Sequence, residues 1–202
     1  MKKNQMRDIK NAKKRKTTVR YLIIGGGGLL ILAIVLFFII KNMPPSASAD
    51  AWSSLEQTVA VTSRDHIQES TDPGPYSTNP PVGGHHYPST LPTKFYDDGD
   101  VAALPAHPEG YLVHNLEHGY VIFWYNCQGM DAASCDNLKA QIKSVMGQFN
   151  GVKVIAFPWK SIQEPVVMTS WGKLERLPTF DVTLASNFVR RNRYQAPEPD
   201  AQ

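Results

Sequence analysis

The sequence predicts a small α/β or α+β domain behind an N-terminal transmembrane helix, and three observations predict it. Tyr21 to Ile40 is a run of twenty residues without a charge. A long stretch rich in proline and glycine, His66 to Pro108, rules out long helices and central strands. From Tyr111 onward, strand-like and helix-like apolar periodicities alternate, as in a small sheet with two helices packed on one face.

The apolar run comes first in the chain. At about 1.5 Å of rise per residue it makes roughly 30 Å of helix, the thickness of a bilayer's hydrocarbon core. Gly25 to Gly28 lower helix propensity, yet lipid tolerates them because unsatisfied backbone costs more there. Nine basic residues and one acidic residue precede the run, a net +8, which predicts a cytoplasmic N-terminus and export of everything after Lys41. A cleaved signal peptide ending at Ala47-Ser48-Ala49 is the rival, but the run exceeds the roughly 7–15 residues of a signal-peptide core. The expected organisation is therefore a basic cytoplasmic tail at 1–20, a transmembrane helix at 21–40, a tether at 41–64, an exported domain at 65–195 and a frayed tail at 196–202.

Charge narrows the partners. The remainder of the chain carries twelve basic and seventeen acidic residues, about −5, which argues against a nucleic-acid partner for the exported part. The expected partners are the lipid bilayer through 21–40 and anionic headgroups at the basic tail. Nothing in the sequence names a protein partner. Export also places the two cysteines, Cys127 and Cys135, in an oxidising compartment, where a disulfide across the turn Gln128-Gly129-Met130-Asp131 is expected.

Within the domain, Leu112 to His118 reads as a helical turn or short strand punctuated by Gly119, followed by a strand at Tyr120 to Tyr125. A helix over about Ala132 to Phe149 is predicted from Leu138, Ile142, Val145 and Met146 at helical spacing, with Asp131 near its positive end. Strands at Val152 to Pro158 and Val166 to Trp171 follow. A last helix spans about Phe180 to Arg191, with Asp181 at its start and Val182, Leu184, Ala185, Phe188 and Val189 along one side. Trp52, Leu55, Val59 and Val61 are enough to start a further helix or strand inside the tether.

All six histidines (His66, His85, His86, His107, His114, His118) fall between positions 66 and 118. His114 and His118 share one face whether their segment is a helix or a strand, so a third ligand completes a site for a transition metal.

Three segments together resemble a bacterial family catalogued as domain of unknown function 3105. They are His66 with Tyr76 and Asn79-Pro80-Pro81-Val82-Gly83-Gly84-His85-His86-Tyr87, then Val113 to Gly119, then Ser170-Trp171-Gly172. The resemblance covers roughly residues 60 to 195 and implies that His66, His86, His114 and His118 are the recurring histidines, with His85 and His107 outside the pattern. It implies no activity.

Residues and resemblance together point to a metal-binding module rather than an enzyme. His86, His114 and His118 are the expected ligands with His66 as a fourth, and Asn115 or Glu117 is expected to hold an imidazole tautomer from behind. An all-histidine set suits copper or zinc. Two alternatives stand beside it. One is a structural or interaction domain of the cell envelope whose histidines lie in a hydrogen-bonded core. The other is a zinc hydrolase of the H-x-x-E-H type at His114 to His118, which the helix-ending Gly119 weakens. No G-x-S-x-G elbow and no phosphate-cradling glycine loop is present.

A reporter that works only outside the membrane, fused after Gln202, is expected to be active. Activity confined to a cytoplasmic reporter would reverse the orientation.

Overall fold

The computed structural model describes residues 55–201, so the expected membrane segment 21–40 and the basic tail before it lie outside the described residues. Among the described residues, no helix is long and apolar enough to cross a membrane.

A central strand of five apolar residues has to be covered on both sides. Val121, Ile122, Phe123, Trp124 and Tyr125 are all buried, and strand alternation sends Val121, Phe123 and Tyr125 into one core and Ile122 and Trp124 into another. With β1 (Glu56–Thr58), β2 (Val121–Tyr125), β3 (Val154–Pro158), β4 (Val166–Ser170) and β5 (Lys173–Leu177), the sheet has the order β1-β5-β4-β2-β3. The pair β2–β3 is parallel, in register Val121 to Val154, and the other pairs are antiparallel.

Among the described residues, four helices accompany the sheet: α1 (Asp98–Ala102), α2 (Pro108–Glu117), α3 (Ala132–Gln148) and α4 (Val182–Asn192). The parallel pair requires a crossover, and α3 supplies it. Asp131 caps α3 by accepting from Ser134 N, and Leu138, Ile142, Val145 and Met146 bury its apolar stripe. Asp181 caps α4 by accepting from Thr183 N and Leu184 N, and Ala185, Phe188 and Val189 face the same core. Cys127 and Cys135 form the expected disulfide, with Cα atoms 5.5 Å apart, tying the end of β2 to the first turns of α3.

The second face departs from expectation. It is covered by α2 and by the proline-rich stretch, whose Val82, Tyr87, Leu91 and Tyr96 pack with Leu112, Leu116, Ile122 and Trp124. Helices therefore lie on both faces, because α2 extends back to Pro108 and buries its own stripe, where a single turn or short strand was expected. The irregular stretch also closes the sheet's outer edge. Tyr96 N donates to Ala156 O at 2.8 Å and Ala156 N donates to Lys94 O at 3.2 Å.

Two further differences lie at the sheet's other edge and at the C-terminus. The strand β5 was not expected because its sequence, Lys-Leu-Glu-Arg-Leu, is mostly charged, although Leu174, Glu175 and Leu177 are buried. The end of the expected tether pairs with it as β1. Residues 196–201, expected to fray, are pinned instead. Lys153 Nζ donates to His118 O and Pro199 O at 2.7 Å and to Ala201 O at 2.8 Å, and Glu198 N donates to Glu117 O at 3.0 Å. A chain end frays only where nothing ties it down, and here one partly buried ammonium gathers three carbonyls.

Replacing Lys153 with Met removes all three donors and is expected to cost about 2 kcal/mol in chemical denaturation, with proteolysis reaching residues 195–201 before the sheet opens. Unchanged stability and an unchanged cleavage pattern would show that the tail is held by other contacts.

Candidate metal centre

The last turn of α2 and two loop segments form the site, and glycines allow them to approach. Pro108 starts α2, and every residue from Gly110 to Glu117 is buried. A Cβ at Gly110 would lie 2.5 Å from the Tyr87 ring, so only glycine lets the helix lie against the loop that carries His86. Gly84, at φ +133°, is equally confined, since a Cβ there would lie 2.9 Å from Tyr76. A short parallel bridge then sets His66 beside His86: Ile67 N donates to His86 O at 2.8 Å and His86 N donates to Asp65 O at 3.2 Å.

His66, His86, His114 and Glu117 each offer one ligand atom, and those four atoms lie within 4.8 Å of one another. His86, His114 and Glu117 are buried, whereas the His66 side chain is 47% exposed. The His66 ring stacks on His114 at 4.9 Å between centroids and meets His86 edge-on at 4.6 Å.

Tautomers follow from the backbone. His86 Nδ1 lies 2.8 Å from Gly84 O and His114 Nδ1 lies 2.6 Å from Tyr87 O. A carbonyl only accepts, so each Nδ1 carries the proton and each neutral ring presents its lone pair at Nε2. A carbonyl fixing the far nitrogen is the support that metal-binding histidines require. His86 Nε2 sits 2.8 Å from Glu117 Oε2. With Nδ1 already protonated, that contact needs a second proton on the ring or on the carboxyl, or else a cation between the two atoms. Ligand bonds of about 2.0–2.2 Å to one ion accommodate two donors at this separation. Arg64 Nε donates to the other oxygen, Glu117 Oε1, at 3.2 Å.

Electrostatics favour a neutral ring at His114. Burial, and next the adjacent His118, push its pKa from 6.5 down to about 4, against the opposing effect of the Tyr87 carbonyl. A neutral imidazole is the form that ligates.

Three of the four expected ligands, His66, His86 and His114, come together. Glu117, expected to stand behind them, joins them, and the i, i+3 spacing to His114 is the signal that places it there. His118 lies outside the group of four. It occupies the C-cap, its N–H still donating to His114 O at 3.1 Å, and the helix ends before Gly119 at φ +81°. Its ring lies 4.3 Å from that of His114, and its Nε2 lies 3.6 Å from Glu198 Oε2. Asn115 holds no imidazole: Leu91 N donates to its Oδ1 and its Nδ2 donates to Leu91 O, both at 3.0 Å, which fastens the proline-rich stretch to α2. His85 is half-exposed with Nδ1 3.2 Å from Ser63 Oγ, and His107 faces Glu109 at 3.3 Å, so neither joins the cluster. Arg64 was not singled out from the sequence, because its partner is 53 positions away.

The family described as protein of unknown function (DUF3105) matches residues 66–202, a span that contains all four clustered side chains. No curated protein and no solved structure matches the chain.

In the metal-free protein, His114 takes up a proton more readily when unfolded, so its contribution to stability is complete above about 6.5 and is lost as pH falls toward about 4. Glu175 acts oppositely. Burial raises it from 4.5 to about 7 despite Arg191 at 3.3 Å, a guanidinium nearer to Glu56 at 2.8 Å, so its contribution is complete below 4.5 and is lost as pH rises to about 7. The two offset each other between pH 4.5 and 6.5. Thermal melts of Glu175→Gln are expected to rise with pH across that window where the parent is flatter, and a Glu175→Gln, His114→Gln double variant is expected to lose that rise. A single variant as flat as the parent would contradict the assignment.

Proposed function

The chain belongs to the family of proteins of unknown function DUF3105, and we propose that it is a membrane-anchored extracytoplasmic protein that binds copper or zinc through His66, His86, His114 and Glu117. One observation carries the reading: two buried imidazoles have Nδ1 committed to backbone carbonyls and Nε2 available toward the cluster, with a buried carboxylate oxygen 2.8 Å from one of them. Three imidazoles and a carboxylate suit copper(II) or zinc better than magnesium or calcium, which prefer all-oxygen sites. The uncharged run at 21–40 behind a +8 tail supports the anchor and the outward orientation.

Binding or handling of the metal is favoured over hydrolysis. An H-x-x-E-H hydrolase uses both histidines as ligands and the glutamate as base, whereas here Glu117 stands in the ligand group and His118 outside it. The structural alternative draws on the His66–His86 bridge and the ring contacts, which join two loop segments to α2 without any ion.

Elemental analysis of the purified protein is expected to find close to one copper or zinc per chain. His86→Ala, His114→Ala or Glu117→Gln is expected to lower affinity by more than the roughly 10–100-fold that loss of a supporting group costs. His107→Ala is expected to retain full occupancy. A folded protein with no metal uptake under titration would leave the structural reading in its place.

A further inference from the structure

Arg64 divides the carboxylate of Glu117 between two tasks. Its Nε donates to Oε1 at 3.2 Å, while Oε2 faces His86 Nε2 at 2.8 Å and His66 Nε2 at 3.8 Å. One oxygen is therefore engaged by the guanidinium and one is directed at the imidazoles. Arg64 and His66 lie on one irregular segment at the open side of the cluster, with side chains 57% and 47% exposed, whereas His86, His114 and Glu117 are buried. A ligand from solvent meets these two residues first.

The charges add up in a specific way. Imidazoles that ligate are neutral. The single carboxylate of the cluster is already balanced by Arg64, and among the described residues the cluster holds no second one. A divalent ion placed there adds two positive charges that the protein does not neutralise, in a setting where most of its ligands are out of water and uncompensated charge is costly. An anion in the ion's solvent-facing position removes that cost.

We propose that Arg64 is the specificity-determining residue of this site: by neutralising Glu117, it makes the bound metal recruit a small anion at the open side beside His66. The inference rests on the metal-binding reading above. Removing the guanidinium leaves the carboxylate to neutralise half of the ion's charge, so the metal binds more tightly and the anion less tightly. Arg64→Lys keeps the charge and should keep the behaviour.

The full-length chain in detergent is loaded with copper(II) and titrated with azide, following the charge-transfer absorption that azide produces on copper(II). The parent protein and Arg64→Lys are expected to bind azide with similar affinity. Arg64→Gln is expected to bind copper(II) about tenfold more tightly and azide about tenfold more weakly, the scale set by a half-exposed charge acting on a divalent ion. The proposal is overturned if azide leaves the spectrum of the copper-loaded parent unchanged, if both affinities are the same in Arg64→Gln, or if that variant binds copper more weakly, as a purely supporting role would require. Failure of parent and variant alike to take up copper(II) or zinc overturns the metal-binding reading, and this inference with it.

Discussion

Glu117 is a carboxylate with 2% of its side chain exposed, placed at the C-terminal end of α2, where the helix dipole is negative. A buried carboxylate is costly unless it is partnered, so its surroundings must supply charge or hydrogen-bond donors. Arg64 supplies charge to Oε1 from the open side, while Oε2 faces His86 Nε2 on the buried side and His66 Nε2 on the open one. The geometry around α2 serves this arrangement: a helix close enough to the proline-rich stretch for His86 to touch Glu117, and a neighbouring segment close enough for Arg64 and His66 to complete the ring.

The proline-rich stretch performs the function that a second layer of helices has on the opposite face. It buries Val82, Tyr87, Leu91 and Tyr96 against the sheet and α2. Its backbone is fastened where a loop would otherwise move: Asn115 grips Leu91, Tyr87 N donates to Gly110 O at 3.2 Å, and Asn79 Nδ2 donates to Ser161 O at 3.0 Å. An irregular segment held at this many points orients a side chain as firmly as a strand does. The same Tyr87 that packs in the core also lends its carbonyl to His114, so core packing and imidazole orientation are one piece of structure.

Apolar periodicity made the central sheet and its two covering helices legible in the sequence. Strands 121–125, 154–158 and 166–170 and helices 132–148 and 182–192 lie within a residue or two of expectation, because buried alternation and capped helical stripes are local signals. The edge pair β1–β5 was less legible: its strands carry Glu56, Lys173, Glu175 and Arg176, and alternation is hidden when an edge is charged. The disulfide at Cys127 and Cys135 needed only spacing and a compartment argument.

By itself, the sequence determined the candidate set at the metal centre: six histidines confined to positions 66–118 and the expected shared face of His114 and His118. Tertiary structure decided which of them meet. His66 and His86 join His114 because a parallel bridge and close-packed glycines bring segments 65–67 and 84–87 against α2. Glu117 rather than His118 stands in the group of four, although the His118 ring lies 4.3 Å from that of His114, and Arg64 arrives from 53 positions away. Spacing within one element fixes only which side chains share a face; convergence between elements depends on how closely their backbones approach, and that distance is a property of the packed fold.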